Sequence, residues 1–198
     1  NEVLADEWII GPAENQRNDR YWSMTKRLGY LTITTQRSDI HLGGNNPRNF
    51  FLRESPYEHY EISTEFFFKP EQNYEQAGLI IWSDADNYLR HAYVHAYQHY
   101  IEAAIEVNQK YSNQMLPITD IDHIHLKIRK LDRQYSYFLS FDGKCWEQVG
   151  TSVYASFERP LVGIMAISPG SGRALDANFK YFSIEEIRQN YKNFRQLA

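Results

Sequence analysis

Several groups of residues have types and spacings that could do chemistry. Glu61 and Glu65, in Glu61-Ile62-Ser63-Thr64-Glu65, point to one side of a strand. Cleaving a glycosidic bond takes two carboxylates, one as acid and one as nucleophile or base. The central acid of an E-x-D-x-E arrangement is replaced by Ser63, however. Glu102 and Glu106 repeat the spacing around Ala104, and surface charge is the better reading for all of these glutamates. His123-Ile124-His125 sets two imidazoles on one strand face, which needs a third ligand from elsewhere to hold a metal. None is legible, so both are read as structural or exposed histidines. Asp84, Asp86 and Asn87 resemble part of a calcium-binding oxygen cluster but lack the length and terminal Glu of an EF-hand loop. They read as a turn. No cofactor is expected, and a structural calcium is the one ion left open.

The richest stretch is Glu75 to Val107, three apolar runs with the turn-forming Ser83-Asp84-Ala85-Asp86-Asn87 between the first two. At period two, Ala92, Val94 and Ala96 share one face, and Leu89, His91, Tyr93, His95, Tyr97 and His99 share the other. With the small apolar side turned to the core, the imidazoles and phenols offer flat rings, donors and acceptors to a sugar. His91, His95 and His99 also stand at i, i+4, i+8, which on a helix would suggest a metal. The density of Tyr and the strand-like run before it favour the strand. The plain alternative is that the row is only the wet side of a sheet. Trp22 follows a polar loop and reads as core or as a stacking platform, whereas Trp82 sits in a run apolar on both faces and reads as core.

The elements positioning these residues are β-strands. At 198 residues, with 42% hydrophobic and 15% aromatic content, the chain can bury a large core and is rich in strand formers. A net charge of -4 gives no overall field for phosphates, which argues against nucleic acid. No apolar run is long enough for a membrane span. The single Cys145 excludes an internal disulfide, and a nucleophilic role for it is disfavoured. Asn1-Glu2 does not open a signal peptide and is not preceded by Met, so an earlier segment is expected to have been removed. Whether the compartment is extracellular or cytoplasmic stays open.

Short β-prone runs separated by turns recur along the chain, about twelve in all, the clearest being Tyr60 to Phe68 before Pro70. Asn108 to Ile118 reads as polar loop. Asp142-Gly143 marks a hairpin. The spacing predicts a single all-β domain over 1–198, a two-sheet sandwich or jelly roll. Ser183-Ile184-Glu185-Glu186 is a capping-box pattern, followed by Ile187, Tyr191 and Phe194 at helical spacing, and predicts a C-terminal helix over 184–197.

Tyr21-Trp22-Ser23-Met24 with Gly29 to Ile33, Pro47 to Arg53, Gln76 to Ile81, Ser140 to Trp146, and Val162 to Ala166 with Phe179 to Phe182 stand out as aromatic and glycine-marked stretches. Together they resemble the concanavalin A-like domain at the C-terminus of family 43 β-xylosidases, and a related group of sandwich domains that includes the yeast regulator-of-enolase protein. The resemblance covers nearly the whole chain and implies the fold more than a function. It implies an accessory domain beside a separate catalytic propeller, for which this chain has no room, and a carbohydrate ligand on one sheet face. The expected site is therefore non-catalytic sugar binding by His91, Tyr93, His95, Tyr97 and His99, with Trp22 and Glu65. A glycoside hydrolase or lyase using Tyr93, His95 and Glu65 is the second reading. A protein-interaction domain is the third.

Overall fold

The computed structural model describes residues 7–13, 16–44 and 46–188. In chain order the strands are β1 (Ile9–Ile10), β2 (Trp22–Ser23), β3 (Leu31–Thr34), β4 (Phe51–Glu54) and β5 (Tyr60–Phe67). They continue with β6 (Gln76–Asp84), β7 (Asn87–Ala96), β8 (Gln98–Val107), β9 (Lys110–Pro117) and β10 (His123–Leu131). The last are β11 (Gln134–Ser140), β12 (Glu147–Gln148), β13 (Val153–Tyr154), β14 (Leu161–Ile167) and β15 (Asp176–Glu186). They form two sheets, in the orders β1-β4-β14-β6-β7-β8-β9 and β12-β11-β10-β5-β15-β3-β2, with β13 also pairing β11. Every pairing is antiparallel. This is the expected two-sheet sandwich.

The two sheets face each other across a core in which alternate residues of each strand interdigitate. Ile62 and Phe66 of β5 and Leu126 and Ile128 of β10 meet Leu79 and Ile81 of β6 and Leu89 and Tyr93 of β7 there. The first sheet is also covered on its outer side. Residues 36–44 and 46–50 lie over it, and Ile40 and Phe50 pack with Leu52, Ile80, Trp82, Tyr88, Ala92, Met165 and Ile167 in a second buried cluster. This explains why β6 and β14 are apolar on both faces in an antiparallel sheet, where one face is commonly wet. Trp82 belongs to this outer cluster, its ring edge-on to Phe50 at 5.7 Å and stacked with Tyr88 at 6.2 Å. Gly163 at the middle of β14 allows the close pairing with β4, because a Cβ there would run into the Phe51 carbonyl.

Two expectations are corrected. Asn108 to Ile118 is largely strand β9, paired along its length with β8. Ser183–Glu186 continue β15 opposite β5, with Ile184 facing Ile62 and the Ser183 and Ser63 hydroxyls 2.8 Å apart. A full-length neighbouring strand overrides the local capping signal there, and Ile187 N–H still donates to the His59 carbonyl. The rest of the expected helix, 189–197, lies outside the described residues.

Candidate functional site

The alternation along β7 is real, but its phase is opposite to the expected one. Leu89, His91 and Tyr93 point between the sheets, while Tyr88, Arg90, Ala92 and Val94 point to the outer side of the first sheet. His91 and Tyr93 are fully buried, so neither ring faces solvent. The His91 ring bridges the sandwich, with Nδ1 2.9 Å from the Glu102 carbonyl and Nε2 2.9 Å from the Phe138 carbonyl of the opposite sheet. Tyr93 donates its hydroxyl to the Ile121 carbonyl at 3.0 Å, and burial pushes its pKa up to about 12. Polar tips with hydrogen-bond partners are what allow such rings into a core.

The expected row also breaks at Tyr97. This residue sits at φ 66° in the tight turn between β7 and β8, 82% exposed, and the chain reverses there. His95 and His99 consequently face each other across the hairpin, ring centroids 5.0 Å apart, and His99 Nε2 lies 2.9 Å from the Pro70 carbonyl. Trp22 is half-buried, edge-on to Phe51, and donates Nε1–H to Asp19. Glu65 lies on the outer side of the second sheet, bonded to His123 and Lys180, with Glu61 further along paired to Lys127 and Arg129. The structure therefore does not gather the expected residues into one site.

What it gathers instead is a cavity of about 420 Å³ on the outer side of the first sheet. Gln76 of β6, Arg90, Val94 and Ala96 of β7, Glu102 of β8, and Tyr111, Asn113 and Met115 of β9 form its floor and one wall. Asp39 and His41 of the covering segment, Tyr74, and Pro169-Gly170 form the rim. At the base, Arg90 grips one Glu102 oxygen through Nε at 3.0 Å and Nη2 at 2.7 Å. The other Glu102 oxygen accepts from Tyr111 at 2.7 Å and Asn113 at 2.9 Å, and Arg90 also donates to the Tyr111 hydroxyl. Burial alone would raise the Glu102 carboxyl, but Arg90 and these hydrogen bonds outweigh it and hold the pKa below the usual carboxylate range. The pair is a fixed, charge-balanced floor.

The rim is held as firmly. Glu75 is fully buried and accepts from the Glu71 and Gln72 amides and from Arg173 at 2.6 and 2.7 Å, which ties the Tyr74 turn to the loop after β14. Burial opposes ionisation of Glu75, but the Arg173 bonds prevail and lower its pKa. His41 meets the Tyr111 ring edge-on at 4.4 Å. The Tyr74 ring stands at the rim, 48% exposed, while the Gln76 carboxamide is buried below it, Nε2 donating to the Tyr74 carbonyl and Oε1 without a hydrogen-bond partner. Sequence reasoning missed this constellation because it assigned Glu102 and Glu106 to the surface. Both are buried, and Glu106 accepts from the Tyr88 hydroxyl and the Leu42 amide. The signal was present as Glu102 and Glu106 set among the apolar Ile101, Ala103, Ala104, Ile105 and Val107.

A family model described as the β-xylosidase C-terminal concanavalin A-like domain matches residues 3–185. The chain belongs to this family. Among solved structures, the GH43 protein BlXynB from Bacillus licheniformis superposes with a TM-score of 0.82 at 22% identity, covering 93% of this chain and 38% of that one. The xylan β-1,4-xylosidase from Bacillus halodurans gives 0.77 at 20% identity, covering 93% and 37%. A functionally unknown protein from Saccharomyces cerevisiae gives 0.70 at 16% identity, covering 92% of this chain and 96% of that one. These identities establish a shared fold. The chain thus spans little more than a third of the two bacterial chains and nearly all of the yeast one. No curated protein sequence matches the chain.

Proposed function

We propose that this domain is a non-catalytic carbohydrate-binding or accessory module of a glycan-degrading system, and that the sugar lies in the cavity above Arg90 and Glu102. The observation that carries this reading is the cavity's chemistry: a neutralised hydrogen-bonded base, an unsatisfied Gln76 acceptor and an open Tyr74 ring. A neutral polyol suits such a site, since stacking and directional hydrogen bonds recognise it and the Arg90–Glu102 floor is already charge-balanced. The family and the GH43 relatives support a neighbouring catalytic domain as the partner.

The hydrolase reading is weaker. A general acid for glycoside cleavage needs a carboxyl held protonated by a raised pKa. Among the described residues, each carboxyl with a clear shift, namely Asp19, Glu61, Glu65, Glu75, Glu102 and Asp142, is shifted down.

Calorimetric titration with xylo-, arabino- and gluco-oligosaccharides tests the proposal. At least one series binds, Tyr74→Ala and Gln76→Ala each weaken it about five- to tenfold, and Tyr97→Ala leaves it unchanged. The same panel shows no release of reducing sugar. Absence of binding across the panel, or binding indifferent to both cavity variants, would count against it.

A further inference from the structure

On the opposite side of the molecule, the strand register supplies the third ligand that the His123-Ile124-His125 motif lacks in sequence. Glu65 of β5 stands directly across from His125 of β10, and His123 lies two residues along on the same face. One donor atom from each of Glu65, His123 and His125 falls within 4.8 Å of the others. The His123 Nε2 to Glu65 Oε1 distance is already 3.0 Å. Donors on a tetrahedral ion with bonds near 2.1 Å are about 3.4 Å apart, so modest side-chain rotation closes the set.

We propose that Glu65, His123 and His125 form a binding site for a borderline divalent cation such as Zn(II). Two imidazoles and a carboxylate are the donor set such ions prefer, and three protein ligands leave a position for water or a ligand oxygen. The rings are held in advance. His123 stacks on Phe67 at 4.4 Å. His125 is 8% exposed and lies against the 142–145 turn, where a Cβ on Gly143 would come within 2.9 Å of its ring. That turn is itself fixed by Ser140 and Asp142 accepting the amides of Gly143, Lys144 and Cys145. A second, independent observation points to a ligand: His125 Nδ1 is buried and has no hydrogen-bond partner. An imidazole nitrogen shut away from water and protein donors alike is costly unless something binds there.

One group competes. Lys180 Nζ sits 3.0 Å from Glu65 Oε1, but its side chain is 52% exposed and free to swing away. The neighbouring Lys127 is occupied by Glu61 and the Trp146 ring.

The test is titration of the full chain with Zn(II), and separately with Co(II) followed by its visible d–d absorption, in a non-chelating buffer. One ion binds per chain. His123→Gln, His125→Gln and Glu65→Gln each weaken binding by about tenfold or more, with circular dichroism confirming that the variants stay folded. Lys180→Met tightens binding, because a competing cation is removed. Cys145→Ser and His59→Ala have no effect, the latter separating this site from the Glu58, His59 and Asp132 group. Absence of binding to the parent chain overturns the proposal. So does binding that survives both His123→Gln and His125→Gln, or that is lost with His59→Ala.

Discussion

Arg90 and Glu102 show how much depends on a single ion pair when both members are out of water. Their side chains are 5% and 6% exposed, and each supplies the only opposite full charge in direct contact with the other among the described residues. Removing one partner of such a pair costs about 3–5 kcal/mol, because the remaining charge is left buried, whereas replacing both by apolar residues is often tolerated. Glu102→Leu should therefore lower the urea midpoint sharply, and the double variant Arg90→Met/Glu102→Leu should recover much of the loss. Both should lose the glycan binding proposed above. Equal stability of parent, single and double variants would show that the pair is solvated rather than buried. Exposed pairs such as Arg188 with Glu186 carry no comparable weight.

At the level of strands, the sequence was readable wherever a strand had one or two apolar faces. β5, at Tyr60–Phe67, ends one residue short of the expected Tyr60 to Phe68. β9 was not readable, because Lys110–Pro117 is the outermost strand of its sheet and buries little, so hydrogen bonding to β8 rather than burial makes it a strand. The site was lost by the same kind of omission. Taking Ala92, Val94 and Ala96 for the core face assumed one buried face, and the covering residues 36–44 and 46–50, which bury the second, have no periodic pattern of their own. Tyr93 and His91 could then be assigned outward although their polar tips are satisfied inside. The two kinds of strand should separate in amide hydrogen exchange. Amides of Ile80, Ile81, Ile164 and Met165, central and covered on both sides, should exchange only through global opening, while those of Ser112 to Leu116 exchange through local opening orders of magnitude faster. Uniform protection across β6 and β9 would contradict this picture.

For the molecule as a whole, the joint between the sheets should respond to pH. Burial lowers the His91 pKa below its ordinary value, although hydrogen bonds to the Glu102 and Phe138 carbonyls and the Glu102 charge act in the opposite direction. In the unfolded chain the ring titrates near about 6.5, so below that pH the unfolded state binds more protons and stability falls with acidification. His125, also lowered chiefly by burial, has the same sign. The lowered carboxyls of Glu61, Glu65, Glu75 and Glu102 act in the same direction only further into acid, below about pH 4.5. Melting temperature should therefore drop between about pH 7.5 and 5.5, and His91→Gln should flatten that slope while lowering the melting temperature at neutral pH. A parent profile that is flat over this interval would sink the assignment.

The strand order has a consequence for biosynthesis. β14 fills the gap between β4 and β6, and β15 the gap between β3 and β5, so each sheet has in its interior a strand made near the end of the described chain. While the chain is still emerging from the ribosome, β6 to β9 and β10 to β11 can pair as hairpins, but neither sheet can close. Contacts of such long sequence separation are slow to form and leave apolar edges open meanwhile. Until residues 161–186 emerge, each sheet is left in two pieces, β1-β4 beside β6 to β9 and β2-β3 beside β5 with β10 to β12, and completion of the sandwich awaits them.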